Sequence, residues 1–269
     1  MLQKARKFFK ALRLVAGKPY LLNHVINSDE VWMQYTEKKY GMMQGLPLVD
    51  LESLFADFEA HIPLFSFLDG SSQPTDIALL MKLAANFDRC TYFEIGTWRG
   101  ESVVNVAEVA HECFTLNLSD EEMRSMGLPE DYISLTGFFS KQKKNITHLR
   151  GNSLHFDFAA LNKKFDLIFI DGDHQYESVK NDTEKVFRHL VHKNSVVVWH
   201  DYAKNPETVR YEVFAGILDG LEPAQHKNLY HVGNTLSAIY CSKELPAHPL
   251  KNPGRPEHAF SLTMKKIGI

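Results

Sequence analysis

Cysteine is scarce in this 269-residue sequence: it occurs three times, and no two cysteines have a Cys-x-x-Cys spacing. Cys90, Cys113 and Cys241 each lie in or beside an apolar run typical of a strand. We therefore predict buried, unpaired side chains in a reducing compartment, which favours a cytoplasmic protein. Long hydrophobic runs are also absent, so no segment predicts a membrane span. The basic N-terminus lacks a continuous hydrophobic region and a clear cleavage site, which argues against a signal peptide.

The sequence also lacks a large excess of either charge. Its 30 Lys and Arg residues nearly balance 33 Asp and Glu residues, which gives a formal net charge of −3. Because no global field attracts phosphates, we expect no nucleic-acid partner. Apolar residues make up 44% of the chain and charged residues 23%, which are ordinary globular proportions. The length suits one large domain, or one domain with a modest extra segment.

Positive charge is concentrated in the first 18 residues. Six cations are interleaved there with apolar side chains, namely Lys4, Arg6, Lys7, Lys10, Arg13 and Lys18 with Phe8, Phe9, Leu12, Leu14 and Val15. This pattern is typical of an amphipathic helix. We favour a solvated helix that packs one face on the body of the protein. Weak contact between such a helix and a membrane surface is the alternative.

Helical patterns fill the rest of the N-terminal region. Apolar spacing predicts a helix over 48–62, and the sequence of 75–87 predicts another that Thr75 or Asp76 could cap. From residue 90 the pattern changes to short apolar runs that alternate with helices. We therefore divide the chain into a helical N-terminal segment or cap at 1–85, an α/β domain at 86–245 and a C-terminal tail at 246–269.

The α/β region predicts seven strands. They lie at 91–95, 113–118, 146–150, 167–171, 195–200, 228–232 and 237–242, with helices at 101–112, 176–190 and 207–221 between them. Continuous apolar strands alternating with helices indicate a doubly wound, Rossmann-like sheet that is mostly parallel, with the last strand antiparallel after a turn. The polar connection 119–145 is long, so we interpret it as a lid or an insert over the site.

A glycine loop follows the first of these strands. Residues 93–102 read Phe-Glu-Ile-Gly-Thr-Trp-Arg-Gly-Glu-Ser, so the strand ends near Glu94 and a helix begins near Ser102. Such a loop lets the backbone approach a ligand, and a helix N-terminus offers free N–H groups to an anion. A dinucleotide fingerprint would need a second glycine where Trp98 stands. An NAD(P)- or other nucleotide-binding enzyme nevertheless stays an alternative.

The spacing of Glu94, Gly96 and Gly100 resembles the first motif of class I methyltransferases that use S-adenosylmethionine (SAM). The resemblance implies SAM as the cofactor. It also implies that Glu94 and the loop of Gly96, Thr97, Gly100 and Ser102 hold the methionine end of that cofactor.

Two later segments extend this resemblance. The family usually has an acid for the ribose hydroxyls after the second strand, but here the position is Asn117, with Asp120 three residues later. After the third strand, Gly151-Asn152-Ser153 is similar to the segment that meets the adenine. The resemblance therefore implies Asn117, Asn152 and Ser153 as further cofactor contacts.

Acids and histidines follow the fourth and fifth strands. Residues 169–176 read Phe-Ile-Asp-Gly-Asp-His-Gln-Tyr, and residues 198–202 read Val-Trp-His-Asp-Tyr. Both strand ends lie at the carboxyl edge of a parallel sheet, where ligands bind, and buried charges of this kind need a metal or mutual pairing. A cation and a neutral histidine could together activate a hydroxyl group.

These two motifs are similar to those of the type 24 methyltransferases, which include macrocin-type sugar O-methyltransferases and cephalosporin-cluster relatives, over roughly residues 75–242. The resemblance implies Asp171 and Asp201 as metal ligands and His174 as the base, with Asp171 also beside the cofactor. Asp173 and His200 are further candidates. Oxygen ligands alone would suit Mg²⁺, whereas His200 as a ligand would favour Mn²⁺, Zn²⁺ or Fe²⁺.

Together these observations predict a SAM-dependent O-methyltransferase that acts on a hydroxyl of a sugar or other small molecule, with or without a divalent metal. A non-catalytic SAM-fold binding module is the third interpretation, after the nucleotide-binding enzyme. Relatives are commonly dimers, so a homodimer is one of the open oligomeric states.

Overall fold

The computed structural model describes residues 2–22, 26, 28–55 and 57–268. Its strands are β1 Leu48–Val49, β2 Thr91–Ile95, β3 Glu112–Asn117, β4 Ile146–Arg150, β5 Leu167–Ile170, β6 Val196–Trp199, β7 Ala203–Asn205, β8 Thr208–Val209, β9 Leu229–Val232 and β10 Ala238–Tyr240. Eight of them form one sheet in the order β1-β9-β10-β6-β5-β2-β3-β4, while β7 and β8 form a small separate pair. Only β10 runs antiparallel to its neighbours in the large sheet. The predicted Rossmann-like sheet with an antiparallel last strand is thereby confirmed.

The eighth strand, β1, lies where the sequence predicted a helix over 48–62. Leu48 and Val49 instead pair in parallel with His231 and Val232 of β9, and the Leu48 N–H donates to the His248 carbonyl at 2.7 Å. Of the described residues in this segment, 48–55 and 57–62, only Leu51–Leu54 is helical. The helix prediction is wrong because pairing with a distant strand satisfies these backbone groups, and a spacing of apolar residues does not reveal such a partner.

The helices of the described residues are Leu2–Gly17, Asp29–Tyr40, Leu51–Leu54, Pro74–Ala85, Glu101–Val106, Asp120–Ser125, Glu130–Leu135, Tyr176–His189 and Tyr211–Asp219. The helix predicted at 207–221 starts late, because its first residues form β8. The helix at 74–85 begins at Pro74 with Gln73 at the N-cap position, and the Asp76 side chain caps it by accepting from the Gln73 N–H at 3.2 Å, whereas Thr75 does not cap it. Proline fits the first helical position because its missing N–H would have no partner there.

Two apolar layers cover the sheet, because neighbouring residues of its central strands point to opposite faces. On one face Phe93, Ile168 and Trp199 pack with side chains of the helices Tyr176–His189 and Tyr211–Asp219. On the other face Tyr92, Phe169 and Val198 pack with the helices Pro74–Ala85 and Glu101–Val106. All three cysteines are free; Cys90 and Cys113 are buried in this second layer and Cys241 is half-buried at its margin. Both faces are thus already covered, as a doubly wound sheet requires.

The N-terminal helix Leu2–Gly17 does not pack a face on this body, so that prediction is wrong. Phe8 is 61% exposed and Phe9 is 68% exposed. The physical reason is that other helices already cover both faces of the sheet, which leaves no open apolar layer for it. Among the described residues, no helix is long and apolar enough to cross a membrane.

Candidate active site

A cavity of about 860 Å³ opens at the carboxyl edge of β2, β3, β5 and β6. This is the edge at which doubly wound sheets bind their ligands. Every residue predicted for the site lines the cavity except Glu94, namely Gly96, Thr97, Gly100, Ser102, Asn117, Asn152, Ser153, Asp171, Asp173, His174, His200 and Asp201. Sequence segments more than one hundred residues apart are therefore brought to one place.

Gly96 lies where the glycine loop after β2 approaches Asp171, the residue that follows strand β5. Its φ of 98° lies in the region that favours glycine. A Cβ atom at this position would collide with the carbonyl oxygen of Asp171. The Asp171 N–H donates to the Ile95 carbonyl at 2.8 Å, so β2 and β5 are held together up to their ends. Only glycine allows this approach, which places Asp171 directly beside the loop.

Glu94 lies behind the cavity wall rather than on it. It is fully buried, and the hydroxyls of Tyr92 and Ser102 each donate to its Oε2 at 2.7 Å. Thr115 donates to Oε1 at 3.2 Å. Burial raises the pKa of Glu94 to about 8 and outweighs these three hydrogen bonds. Glu94 therefore fixes Ser102 at the start of the helix Glu101–Val106, and Thr115 links it to Thr97 of the loop.

Thr97 and Asn117 are bonded to each other across the loop. The Thr97 N–H donates to Asn117 Oδ1 at 3.3 Å, and the Thr97 hydroxyl lies 2.5 Å from the hydroxyl of Thr115. The side chain of Thr97 thus points into the wall, while its backbone faces the cavity. Asn117, which was predicted to contact a ribose, lines the cavity with its oxygen already engaged.

The segment predicted for the adenine is fixed by its own contacts. Asn152 Oδ1 accepts from the Leu154 N–H at 2.9 Å, and the Ser153 carbonyl accepts from Lys185 at 2.8 Å. The nearby Asp182 is buried, and desolvation raises its pKa to about 6 against the hydrogen bond from Ser153. The loop is therefore preformed by the helix Tyr176–His189.

The predicted insert 119–145 does cover part of the site. It forms two short helices, and Met126, Leu128 and Tyr132 line the cavity. The Tyr132 ring stacks on Trp98 with 3.9 Å between centroids. On the other side of the loop, Glu101 accepts from the Ser66 N–H at 2.7 Å. The cavity is thus bounded by two segments outside the sheet.

Asp171, His200 and Asp201 bring three potential metal-ligand atoms within 4.8 Å of one another. His200 Nδ1 lies 3.0 Å from Asp171 Oδ1 and 3.1 Å from Asp201 Oδ2. Ligands at about 2.1 Å from a cation and at right angles to one another are separated by about 3.0 Å. These spacings fit the edges of such a coordination sphere, so the donor set suits a divalent cation.

Asp201 is the centre of this cluster. His174 Nε2 lies 3.2 Å from its Oδ2, and Arg210 donates to its Oδ1 at 2.8 Å. Burial would raise the pKa of Asp201, but His200, His174 and Arg210 outweigh it and lower that pKa to about 2. Its φ of 55° is uncommon for a residue other than glycine. Backbone strain of this kind is concentrated at functional sites.

Two residues of the cluster were missed by sequence reasoning. Asp76 is fully buried and its Oδ2 lies 3.6 Å from His200 Nε2. Its Oδ1 accepts from the Ser237 hydroxyl at 2.6 Å. Sequence reasoning assigned Asp76 only to a helix cap and did not predict its contact with His200. No pattern in the sequence marked Arg210. Burial lowers the pKa of His200, but Asp171, Asp201 and Asp76 outweigh it, so the pKa is raised well above its usual value.

Asp173 lies apart from this cluster although it lines the cavity. Its Oδ2 accepts from the Ser178 hydroxyl at 2.7 Å, within the first turns of the helix Tyr176–His189. The carboxylate is therefore committed to the start of that helix. Of the two acids in the Asp-Gly-Asp segment, only Asp171 belongs to the potential metal site.

Part of the chain is similar to known proteins. Residues 93–202 match the model of methyltransferase family 24, described as "Methyltransferase domain". A curated relative, Uncharacterized protein R132 of Acanthamoeba polyphaga mimivirus, is 28% identical over 141 residues, which cover 46% of this chain and 58% of that protein. The chain thus spans less than two thirds of this relative.

Among solved structures, the SAH-bound methyltransferase PaMTH1 of Podospora anserina is similar with a TM-score of 0.45 and 16% identity. The match covers 64% of this chain and 80% of that one. The O-methyltransferase TomG of Streptomyces achromogenes, solved in complex with SAM, gives a TM-score of 0.45 and 17% identity. That match covers 64% of this chain and 82% of TomG.

Proposed function

We propose that the chain is a SAM-dependent O-methyltransferase for a small-molecule hydroxyl, assisted by a divalent cation; the match of residues 93–202 to the model of a methyltransferase domain supports the proposal. The observation that carries the proposal is the cluster of Asp171, His200 and Asp201 with His174 beside it, next to the Gly96 loop. A sugar or similar polyhydroxyl compound is the acceptor class we propose.

The cofactor would lie along the wall formed by the loop 96–102, Asn117 and the segment 151–153. When bound, SAM supplies an electrophilic methyl group on its sulfonium. The backbone of Gly96 and Thr97 faces this space, and Asn117 offers its amide to a ribose hydroxyl. Because methyl transfer needs in-line approach of the two reacting atoms, the main task of these residues is to orient the cofactor.

The cation would be held by Asp171 Oδ1, Asp201 Oδ2 and His200 Nδ1, with water or the acceptor completing its coordination. When bound, it supplies positive charge that lowers the pKa of an acceptor hydroxyl. A nitrogen ligand favours Mn²⁺, Fe²⁺ or Zn²⁺ over Mg²⁺, which prefers oxygen. Asp76, on the far side of the His200 ring, favours the tautomer with its proton on Nε2, which leaves Nδ1 free as a ligand.

His174 is the residue we propose as the general base. Its Nε2 faces Asp201 at 3.2 Å, so a proton on Nε2 is stabilised there and Nδ1 keeps its lone pair. A hydroxyl of the acceptor that reaches Nδ1 can donate its proton to this nitrogen. Asp201 then stabilises the positive charge that the ring acquires.

Calorimetric titration of S-adenosylhomocysteine and, separately, NAD⁺ into the full chain tests the cofactor. We expect S-adenosylhomocysteine to bind in the micromolar range and NAD⁺ not to bind. Binding of NAD⁺ alone would support the nucleotide-enzyme alternative and overturn the proposal.

Titration of Mn²⁺ and Mg²⁺ into chelator-treated protein tests the metal. We expect Mn²⁺ to bind more tightly than Mg²⁺, and Asp171→Asn to weaken Mn²⁺ binding by at least about tenfold. Asp173→Asn is the matched control, because Asp173 lines the same cavity but bonds Ser178 instead of the cluster. Equal Mn²⁺ affinity in both variants would exclude the metal site.

A further inference from the structure

The helix Leu2–Gly17 presents an unusual surface. Of its side chains at 3–17, all are exposed except Val15, which is half-buried. Large apolar groups are among them: Phe8 is 61% exposed, Phe9 68% and Leu12 50%. After Lys18, a short 3-10 helix begins at Pro19, and its Tyr20 is 60% exposed. Contiguous apolar surface of this kind marks an interaction site.

The exposed apolar side chains share one side of the helix. With about 100° of rotation per residue, Phe8, Phe9, Leu12 and Val15 fall within an arc of roughly 120°. Leu14 is the exception among these large apolar residues, since it lies outside the arc, on the side of the helix that carries the cations. The helix is therefore amphipathic, with its apolar side left uncovered by the rest of the described chain.

Cations border the apolar arc on both edges. By the same rotation, Arg6 and Arg13 flank it on one edge, and Lys4 and Lys18 flank it on the other. The remaining cations, Lys7 and Lys10, lie opposite the arc. No Asp or Glu occurs before Asp29, although the whole chain has a net charge of −3. The partner of this helix must therefore combine an apolar interior with negative charge on both sides of the contact.

We propose that the helix Leu2–Gly17 binds the surface of a membrane that contains anionic lipids and lies in the plane of that surface. The apolar arc would enter the boundary between headgroups and acyl chains, while the flanking lysines and arginines extend to the phosphates. Tyr20 lies next to the helix at a level suited to the headgroups. Charges on both edges favour a flat anionic layer, since a protein groove would have to desolvate both flanks.

The location would serve acceptors or products that are themselves at a membrane, but the proposal does not depend on the methyltransferase activity. The catalytic domain and the helix can therefore be tested apart. A variant of the helix should bind S-adenosylhomocysteine as the unmodified chain does, which separates failure of this proposal from failure of the proposed function.

Co-sedimentation of the full chain with vesicles tests the surface. We expect binding to vesicles with 30 mol% phosphatidylserine (about one lipid in three) and at least about tenfold weaker binding to pure phosphatidylcholine. Raising the salt to 1 M should reduce binding strongly, because the Debye length falls to about 3 Å.

Two variants separate the charge from the apolar arc. Lys7→Glu/Lys10→Glu should reduce binding by more than about tenfold, and Phe8→Ser/Phe9→Ser should do so at all salt concentrations. Lys265→Glu/Lys266→Glu in the C-terminal tail is the control, since it makes the same charge change on exposed residues. Equal binding to neutral and anionic vesicles, or equal loss in the control, would overturn the proposal. Binding to an acidic protein such as calmodulin without vesicle binding would also overturn it.

Discussion

Two acids on the two sides of the cavity, Glu94 buried and Asp201 half-buried, have opposite protonation behaviour. Glu94, behind the loop side, has its pKa raised to about 8 by burial. Asp201, on the cluster side, has its pKa lowered to about 2 although burial acts on it in the same upward direction. The difference is the partners: Glu94 meets only hydroxyl groups, whereas Asp201 meets His200, His174 and Arg210.

This difference separates two tasks within one site. A carboxyl that is neutral near pH 7 can hold a loop together without placing charge beneath it. An ionised carboxyl among cationic groups can accept a metal ion and orient a base. The side predicted to bind the cofactor thus has no fixed negative charge at Glu94. The side predicted to do the chemistry has a fixed negative charge at Asp201.

The largest effect is expected from a substitution that disrupts the loop side and the cluster side of the cavity together. Gly96→Ala would place a Cβ against the Asp171 carbonyl at a φ of 98°, and we expect it to destabilise the fold by about 3 kcal/mol or more. Gly127→Ala is the control, because Gly127 has a φ of 81° but nothing within 4 Å of a Cβ. Urea unfolding of both variants separates backbone strain from the clash; equal losses would show that the contact with Asp171 is unimportant.

The next substitution removes one negative charge, that of Asp201, from the cluster side and leaves the loop side unchanged. Asp201→Asn should weaken Mn²⁺ binding by about 100-fold, since it removes a ligand that also holds His200 and His174. S-adenosylhomocysteine binding should stay within a few-fold of the unmodified chain, because Asp201 lies off the proposed cofactor wall. Calorimetry measures both. Loss of both affinities together would mean that the two sides are not separable.

The pH dependence of stability should have opposite signs for the two acids. The folded-state pKa of Asp201 is depressed, so its contribution is present above pH 3.8 and is lost as the pH falls toward 2. The folded-state pKa of Glu94 is raised from 4.5 to about 8, so stability is lost as the pH rises through that window.

Glu94→Gln tests the second of these signs. The glutamine resembles the protonated acid, so the variant should gain stability over the unmodified chain as the pH rises from 5 to 8, by a few kcal/mol at most. Below pH 4.5 the two should unfold alike. Urea midpoints at pH 4, 6 and 8 measure this. A constant difference across that range would show that Glu94 is ionised throughout.

The comparison also shows what a sequence can reveal. The loop with Gly96 and the acids Asp171 and Asp201 were found because each follows its strand directly, and strand, glycine and helix are local signals. The Rossmann-like fold is confirmed for the same reason, and residues 93–202 match the model of a methyltransferase domain. The cytoplasmic location and the homodimer stay predictions.

Contacts between segments that are distant in the sequence could not be predicted from it. Strand β1 depends on pairing with β9, and Asp76 reaches His200 across more than one hundred residues. Behind the cavity wall, Glu94 is bonded to three hydroxyl groups on three elements, those of Tyr92 on β2, Thr115 on β3 and Ser102 on the helix Glu101–Val106. The uncovered face of the helix Leu2–Gly17 depends on which other helices already cover the sheet. None of these has a periodicity or a spacing of its own.

The smallest expected effect concerns the residue behind His200. In Asp76→Asn, Oδ1 can still accept from Ser237 and from the Leu236 N–H. The bond from the Gln73 N–H to Oδ2 at 3.2 Å is lost, so the variant should lose about 1 kcal/mol of helix-cap stability and keep its local fold. The Oδ2 that faces His200 Nε2 at 3.6 Å becomes an NH₂ group, which no longer favours a proton on Nε2. The ring then loses its preference for Nδ1 as the free ligand atom, and Mn²⁺ binding should weaken by about tenfold.

Nitrogen NMR of the His200 ring provides a readout for this variant that a purely structural role would not move. In the metal-free chain, His200 should have a proton on both nitrogens, because Asp171, Asp201 and Asp76 raise its pKa well above the usual value. In Asp76→Asn the signal should shift toward a ring with its proton on Nδ1 alone, where Asp171 and Asp201 accept it. His200→Glu is the companion variant, since an oxygen ligand should raise the affinity for Mg²⁺ relative to Mn²⁺ and make it independent of Asp76. If Asp76→Asn changed neither the ring signal nor the Mn²⁺ affinity, Asp76 would serve only the turn at Leu236 and Ser237 and the cap of the helix Pro74–Ala85, and the charge of the cluster side would depend on Asp171, Asp201 and Arg210 alone.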